Sequence, residues 1–195
     1  MTAGRVLPIA IGVTLLGLLA WGVTAALTRL AEPDQPAADV SAPADGGATA
    51  HITATLFYAT PEGDSLVGVR REVVLADGVV AQGQEIVNAQ LAPAPDGYVS
   101  TIPPGTTLRA FYVTERGDAF VDLTGEISRA HSGGSLSELL TVHAIVNAVT
   151  ANLPAIQRVQ ILVDGREVDT IAGHVDIRRP LAQDLSLVRE EAAAP

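Results

Sequence analysis

The stretch VLPIAIGVTLLGLLAWGVTAALT, from Val6 to Thr28, constrains this chain more than any other part of it. It runs 23 residues without a charge. As an α-helix it would be about 34 Å long, enough to cross a hydrocarbon core of about 30 Å. Core helices are rarely this long or apolar on every side. Arg5 precedes the run, Arg29 follows it, and Trp21 lies in its C-terminal half. A cleaved signal peptide is the alternative, but its apolar region is shorter, about 7–15 residues, and ends at a small-residue cleavage site. Residues 1–30 are therefore expected to form one uncleaved transmembrane anchor. Arg5 and the short N-terminal tail place the N-terminus in the cytoplasm and the rest of the chain outside it.

The next segment, residues 31–50, is rich in Ala and Pro and holds four acids, no base and no aromatic residue. Such a composition cannot bury enough apolar area to offset the entropy of ordering, so it reads as a flexible linker. From His51 onward there are 18 acids against 10 arginines, within a chain of net charge -10. That balance argues against nucleic acid as a partner, because phosphate binding needs clustered cations. The absence of lysine excludes a Walker A loop and a Schiff base. The absence of cysteine excludes disulfides, thiolate nucleophiles and thiolate zinc sites.

Residues 51–181 carry the pattern of a folded domain. ITATLFYA (Ile52–Ala59) and LVGVRREVVLA (Leu66–Ala76) read as strands around the turn PEGDS, with Gly68 a candidate bulge. Val80, Ile86, Val87 and Leu91 mark a helix over Val79–Leu91, closed by Pro93. TLRAFYV and AFVDL flank ERGD as a hairpin. A second helix starts near Leu136, where Ser135 and Glu138 fit a capping box, and presents Leu139, Val142, Val146, Val149 and Leu153 on one face. After Pro154, IQRVQILV and REVDTIAG flank Asp164-Gly165, a type I′ turn pair. This order argues for an α+β fold, two helices packed on one face of a largely antiparallel sheet. Residues 182–195 lose periodicity and read as a disordered tail.

No constellation carries a reaction. Of the four histidines, His143 reads as a core or boundary residue, and there is no metal-ligand motif of the H-E-x-x-H type. His174 with Asp169 or Asp176 and Ser100 or Ser135 is a list rather than a triad, and no G-x-S-x-G elbow is present. Glu126 and Glu138 make no convincing acid–base pair. Arg116-Gly117-Asp118 reads as a hairpin turn, and Pro103-Pro104-Gly105-Thr106 as a turn entering a strand. No catalytic residue, cofactor or metal is expected.

The motifs taken in order do resemble a family. TLFYA, LVGVRREV, STIPPGTTL, FVDLTGE, GGSLSELLTVHAIVNAVT, VQILVDG and GHVDIRRPL together are similar to the GerMN domain over about Thr53–Leu181. The resemblance implies a non-enzymatic extracytoplasmic envelope domain tied to sporulation or germination. Its expected fold is similar to the ring-building motifs of sporulation channel proteins, small α+β domains that stack side by side. Here the anchor is an apolar helix rather than a lipidated cysteine, and one copy is present rather than two. The family-signature positions are Pro103, Gly105, Asp122, Glu138, Asp164, Gly165, Gly173, His174 and Pro180, all expected to be structural. Gly173 would let the chain leave its strand, and His174 would tie that turn down by hydrogen bonding. Expected partners are cell-envelope proteins or further copies of the chain, the bilayer through residues 6–28, and, as the alternative, peptidoglycan or another glycan.

Overall fold

A computed structural model of the chain describes residues 49–189. The expected anchor and nearly all of the expected linker lie outside the described residues, as do residues 190–195. Among the described residues, no helix is long and apolar enough to cross a membrane.

The elements follow the expected order. Strands β1 (His51–Ala59) and β2 (Leu66–Val74) form an antiparallel hairpin in unbroken register, from His51 opposite Val74 to Ala59 opposite Leu66. Helix α1 spans Gly78–Leu91, β3 Leu108–Val113, β4 Asp118–Leu123, and the short α2 Glu126–Arg129. Helix α3 runs from Ser135 to Asn152, followed by β5 (Arg158–Val163), β6 (Arg166–Glu167) and β7 (Leu181–Ala182). Asp164 (φ 50°) and Gly165 (φ 78°) turn β5 into β6 with both residues at positive φ, as the Asp-Gly pair requires.

The α+β class and the largely antiparallel pairing are observed, but the single sheet is not. β1 and β2 form a sheet of their own, while β3, β4, β5 and β6 form a second, with β7 also on β5. Within the second sheet β4 and β5 are parallel. Helix α3 is the reason: its 18 residues return the chain about 27 Å, so β5 starts at the same end as β4.

Helix α3 is also not a one-faced surface helix. Every residue from Leu140 to Val149 is buried. It packs against β1, α1 and β5, so the two sheets and both long helices share one core. Fully buried side chains such as Leu56, Ile86, Leu123, Ile145 and Ile161 each contribute about 1.5–3 kcal/mol on burial.

Helix α1 buries Gln82, Gly83, Ile86, Val87 and Gln90, while Val80, expected on that face, is 40% exposed. A Cβ at Gly83 would overlap the Phe111 ring, which is what brings α1 so close to β3. Gly68 is not a bulge; it pairs with Phe57, and a Cβ there would lie 3.0 Å from the Thr55 methyl group. The irregularity falls between Leu108 and Ala110 instead.

The segment 182–189, expected to belong to a disordered tail, is held against the domain. Asn147 exchanges two hydrogen bonds with the backbone of Asp184 (3.0 and 2.8 Å). Leu187 and Val188 pack on the core. The Leu66 N–H donates to the Leu187 carbonyl and the Arg189 N–H to the Leu66 carbonyl, both at 2.8 Å.

Candidate interaction face

The nine signature positions fall into three groups. Asp122, Asp164 and Gly165 meet at the end of the β4–β5 pair. The Gly165 N–H donates to Asp122 at 2.8 Å, and Arg109 reaches the same carboxylate at 3.0 Å. The Asp164 carboxylate accepts the Gly125 N–H at 3.0 Å. These contacts fasten two turns and leave no free functional group.

The second group is Glu138, Gly173 and His174. Glu138 does not complete a capping box. Helix α3 begins at Ser135 behind Gly134 (φ 87°), with no side-chain cap. The Glu138 side chain is fully buried and points into the chain after β6. It accepts backbone N–H groups from Ile171, Ala172 and His174, each at 2.8 Å, and lies 3.2 Å from His174 Nδ1. Burial alone would raise its pKa, yet the amides of Ala172, His174 and Ile171 outweigh burial and hold it below the usual carboxylate value. His174 thus ties down the turn after Gly173 (φ 99°), through both its backbone and its ring.

The third group is Pro103 and Gly105. The Pro103 carbonyl accepts the Thr106 hydroxyl at 2.8 Å and its N–H at 3.3 Å, and Gly105 takes φ 83° to close the turn. Pro180 stands apart, immediately before β7, with no polar role.

A residue not singled out in the sequence joins the second and third groups. His131 Nδ1 accepts the Gly133 N–H at 3.0 Å, so Nε2 carries the proton and donates to Thr141 Oγ1 at 3.1 Å. Thr141 in turn donates to the Thr101 carbonyl at 2.7 Å. Burial holds His131 below the usual imidazole pKa; Glu138 opposes this and His174 adds to it. His143 is buried as expected, its pKa also lowered by burial.

The resulting relief centres on Ser100–Gly105. One concavity of about 410 Å³ lies between Leu91–Ala94 and Ile102, Pro104 and Gly105. A second, of about 180 Å³, lies between Thr101–Pro104 and Ala130 and Ser132. A third, of about 200 Å³, is lined by Val99, Thr101, Ser132, Ser137 and Leu140. No charged side chain lines any of them. Val99 and Leu136 are 49% and 44% exposed. Among the described residues, no group of three or more His, Asp or Glu side chains could hold a metal. Ser100 donates to the Ile102 carbonyl, and Ser135, Asp169 and Asp176 make no hydrogen bond to His174. Ser100 or Ser135, His174 and Asp169 or Asp176 are therefore not assembled as a triad.

The family model Germane, described as sporulation and spore germination, matches residues 55–169. The tandem GerMN domains of the Bacillus subtilis sporulation protein GerM share this fold, with a TM-score of 0.51 and 15% identity over 70% of this chain. The chain spans 46% of that tandem. The first GerMN domain alone matches with a TM-score of 0.46 and 16% identity, over 68% of this chain and 96% of its own. A candidate lipoprotein of Clostridium perfringens matches with a TM-score of 0.49 and 25% identity, over 68% and 87%. No curated protein matches the chain.

Proposed function

The chain belongs to the Germane family of sporulation and spore germination, and on that premise we propose that it is a non-catalytic interaction module of the bacterial cell envelope. In this reading residues 6–28 anchor it in the cytoplasmic membrane, residues 31–50 lift the domain off the surface, and the domain acts on the extracytoplasmic side. The observation that carries the proposal is how Glu138 and His174 are used. The buried Glu138 carboxylate, with the half-exposed His174 ring beside it, holds the backbone of residues 171–174, so its charge is not available for proton transfer to a substrate. The uncharged relief around Ser100–Gly105 includes half-exposed Val99, and exposed Leu136 adjoins Ser137 of the same lining in the sequence; this supports a protein-binding face.

Photo-cross-linking of the full chain in its native membrane tests this. A photoreactive side chain at Val99 or Leu136 is expected to give a discrete adduct with an envelope protein or a second copy. A probe at exposed Glu62 serves as the control. Equal, diffuse labelling from all three positions, or none, would count against the module.

A second reading, a peptidoglycan or glycan binder, is favoured by one feature. Ser100, Ser132 and Ser137 line neighbouring uncharged concavities. Recovery of the domain with purified cell wall, lost on replacing Ser132 and Ser137 by bulky residues, would select it.

A further inference from the structure

The β1–β2 hairpin has an opening of defined length along one edge. In an antiparallel pair, alternate residues turn their N–H and C=O groups away from the partner strand. On β1 these are His51, Thr53, Thr55, Phe57 and Ala59, and the last three are satisfied. Asn152 exchanges two hydrogen bonds with Thr55 (both 2.8 Å), Gln90 two with Phe57 (2.8 and 2.7 Å), and Val99 two with Ala59.

Their register partners on β2 are Arg70, Gly68 and Leu66. Leu66 is paired by Leu187 and Arg189, and at the other end the Val74 carbonyl accepts Gln82 Nε2 at 3.0 Å. Between these stops, the outward backbone groups of Gly68, Arg70 and Glu72 have no partner among the described residues. Arg70 and Glu72 are exposed. On the second sheet, α1 packs against β3, where Phe111 is buried.

The charge along this opening departs from that of the domain. Arg70 makes no ion pair among the described residues, and Arg71 bonds only the uncharged Tyr58 hydroxyl and Pro93 carbonyl, both at 3.2 Å. Glu72 is engaged across the hairpin by the Thr53 hydroxyl at 3.0 Å. An otherwise acidic domain thus presents two arginines that make no ion pair among the described residues, one on each face of an open strand edge, with the Glu72 carboxylate two residues beyond Arg70.

We propose that the Gly68–Glu72 edge of β2 is a strand-addition site for a short extended acidic segment of a partner protein. The added strand would be roughly five residues long, stopped by Arg189 at one end and Gln82 at the other. Its backbone would bond Gly68, Arg70 and Glu72, and its acidic side chains would lie beside Arg70 and Arg71. The proposal rests on the interaction-module reading and names the partner's chemistry.

The probe is a blocked seven-residue peptide of alternating valine and glutamate. It is titrated into the full chain while amide exchange is followed residue by residue. The expected result is slowed exchange at Gly68, Arg70 and Glu72, with Thr55, Phe57 and Ala59 unchanged. Arg70→Glu should weaken binding about tenfold without changing the melting temperature. Arg70→Pro, which removes an outward N–H that a strand edge can forgo, should abolish binding and keep cooperative unfolding.

Unchanged exchange at the three amides would overturn the proposal. So would equal binding of a valine–lysine peptide, protection that rises with protein concentration, or protection already present and lost on deleting residues 190–195. The last two outcomes would assign the edge to a second copy or to the chain's own C-terminus. A negative peptide result leaves the cross-linking result standing, so the two readings fail separately.

Discussion

Glu138 shows how one side chain organises a loop far along the chain. A fully buried carboxylate without an arginine partner is stable only when N–H donors replace its hydration. Here three backbone amides and the His174 ring do so, and in return residues 171–174 are held without secondary structure of their own. Glu138→Gln keeps the shape but removes the charge from these hydrogen bonds. It should cost about 2–4 kcal/mol in urea unfolding at neutral pH. Because the folded pKa is lowered, the ionised group's contribution is complete above the unfolded value of about 4.3 and is lost as pH falls through the folded value. The stability gap between wild type and Glu138→Gln should therefore be widest near pH 7 and narrow below about pH 4. A gap independent of pH would place the contribution in shape rather than charge.

At the scale of elements, the β1 edge at Thr55 and Phe57 is closed by amide side chains rather than by another strand. Gln90 on α1 and Asn152 at the end of α3 each imitate the donor–acceptor pair of a neighbouring backbone. This protects the edge and fixes both helices on the hairpin. Gln90→Ala would leave the Phe57 N–H and C=O buried and unpaired, and should cost about 2–4 kcal/mol. The matching signature is faster amide exchange at Phe57 than at Leu56. A purely packing role for Gln90 would lower stability without singling out Phe57.

For the molecule as a whole, the C-terminal segment acts as a strap. It lies along α3 through Asn147 and across β2 through Leu66. Arg189 also reaches Asp64 at 3.1 Å, between exposed side chains. Ending the chain at Ala182 should lower the urea midpoint and unfolding free energy by about 3–5 kcal/mol. Arg189→Ala alone should change it by less than about 1 kcal/mol. Equal stability of the truncated and complete chains would show the strap to be dispensable.

Much of this architecture was legible in the sequence because it depends on neighbours along the chain. β-branched runs marked β1, β2 and β5. Asp164-Gly165 marked its own turn, because positive φ is a property of those residues wherever they stand. The tie between His174 and its turn was legible as a role, though not its partner. Glu138 was misassigned because Ser135-x-x-Glu138 satisfies a local pattern, while the amides that claim the carboxylate lie 33 to 36 residues later. Gln90, Asn147 and Asn152 passed unremarked because an amide on a helix has no local signature for the backbone it will meet. The one hint was position, since Gln90 shares the stripe of Ile86 and Val87.

The sequence by itself determined the order of elements, the turns, the acidic balance without lysine or cysteine, and an uncharged run long enough for a bilayer. These follow from propensity, periodicity and composition, which act over a few residues. Tertiary structure alone decided that α3 is central, that β4 and β5 run parallel, that residues 182–189 close the domain, and that β2 keeps an open edge. Each of those depends on which surfaces meet once the core has packed, and contacts between distant residues leave no periodic trace in a single chain.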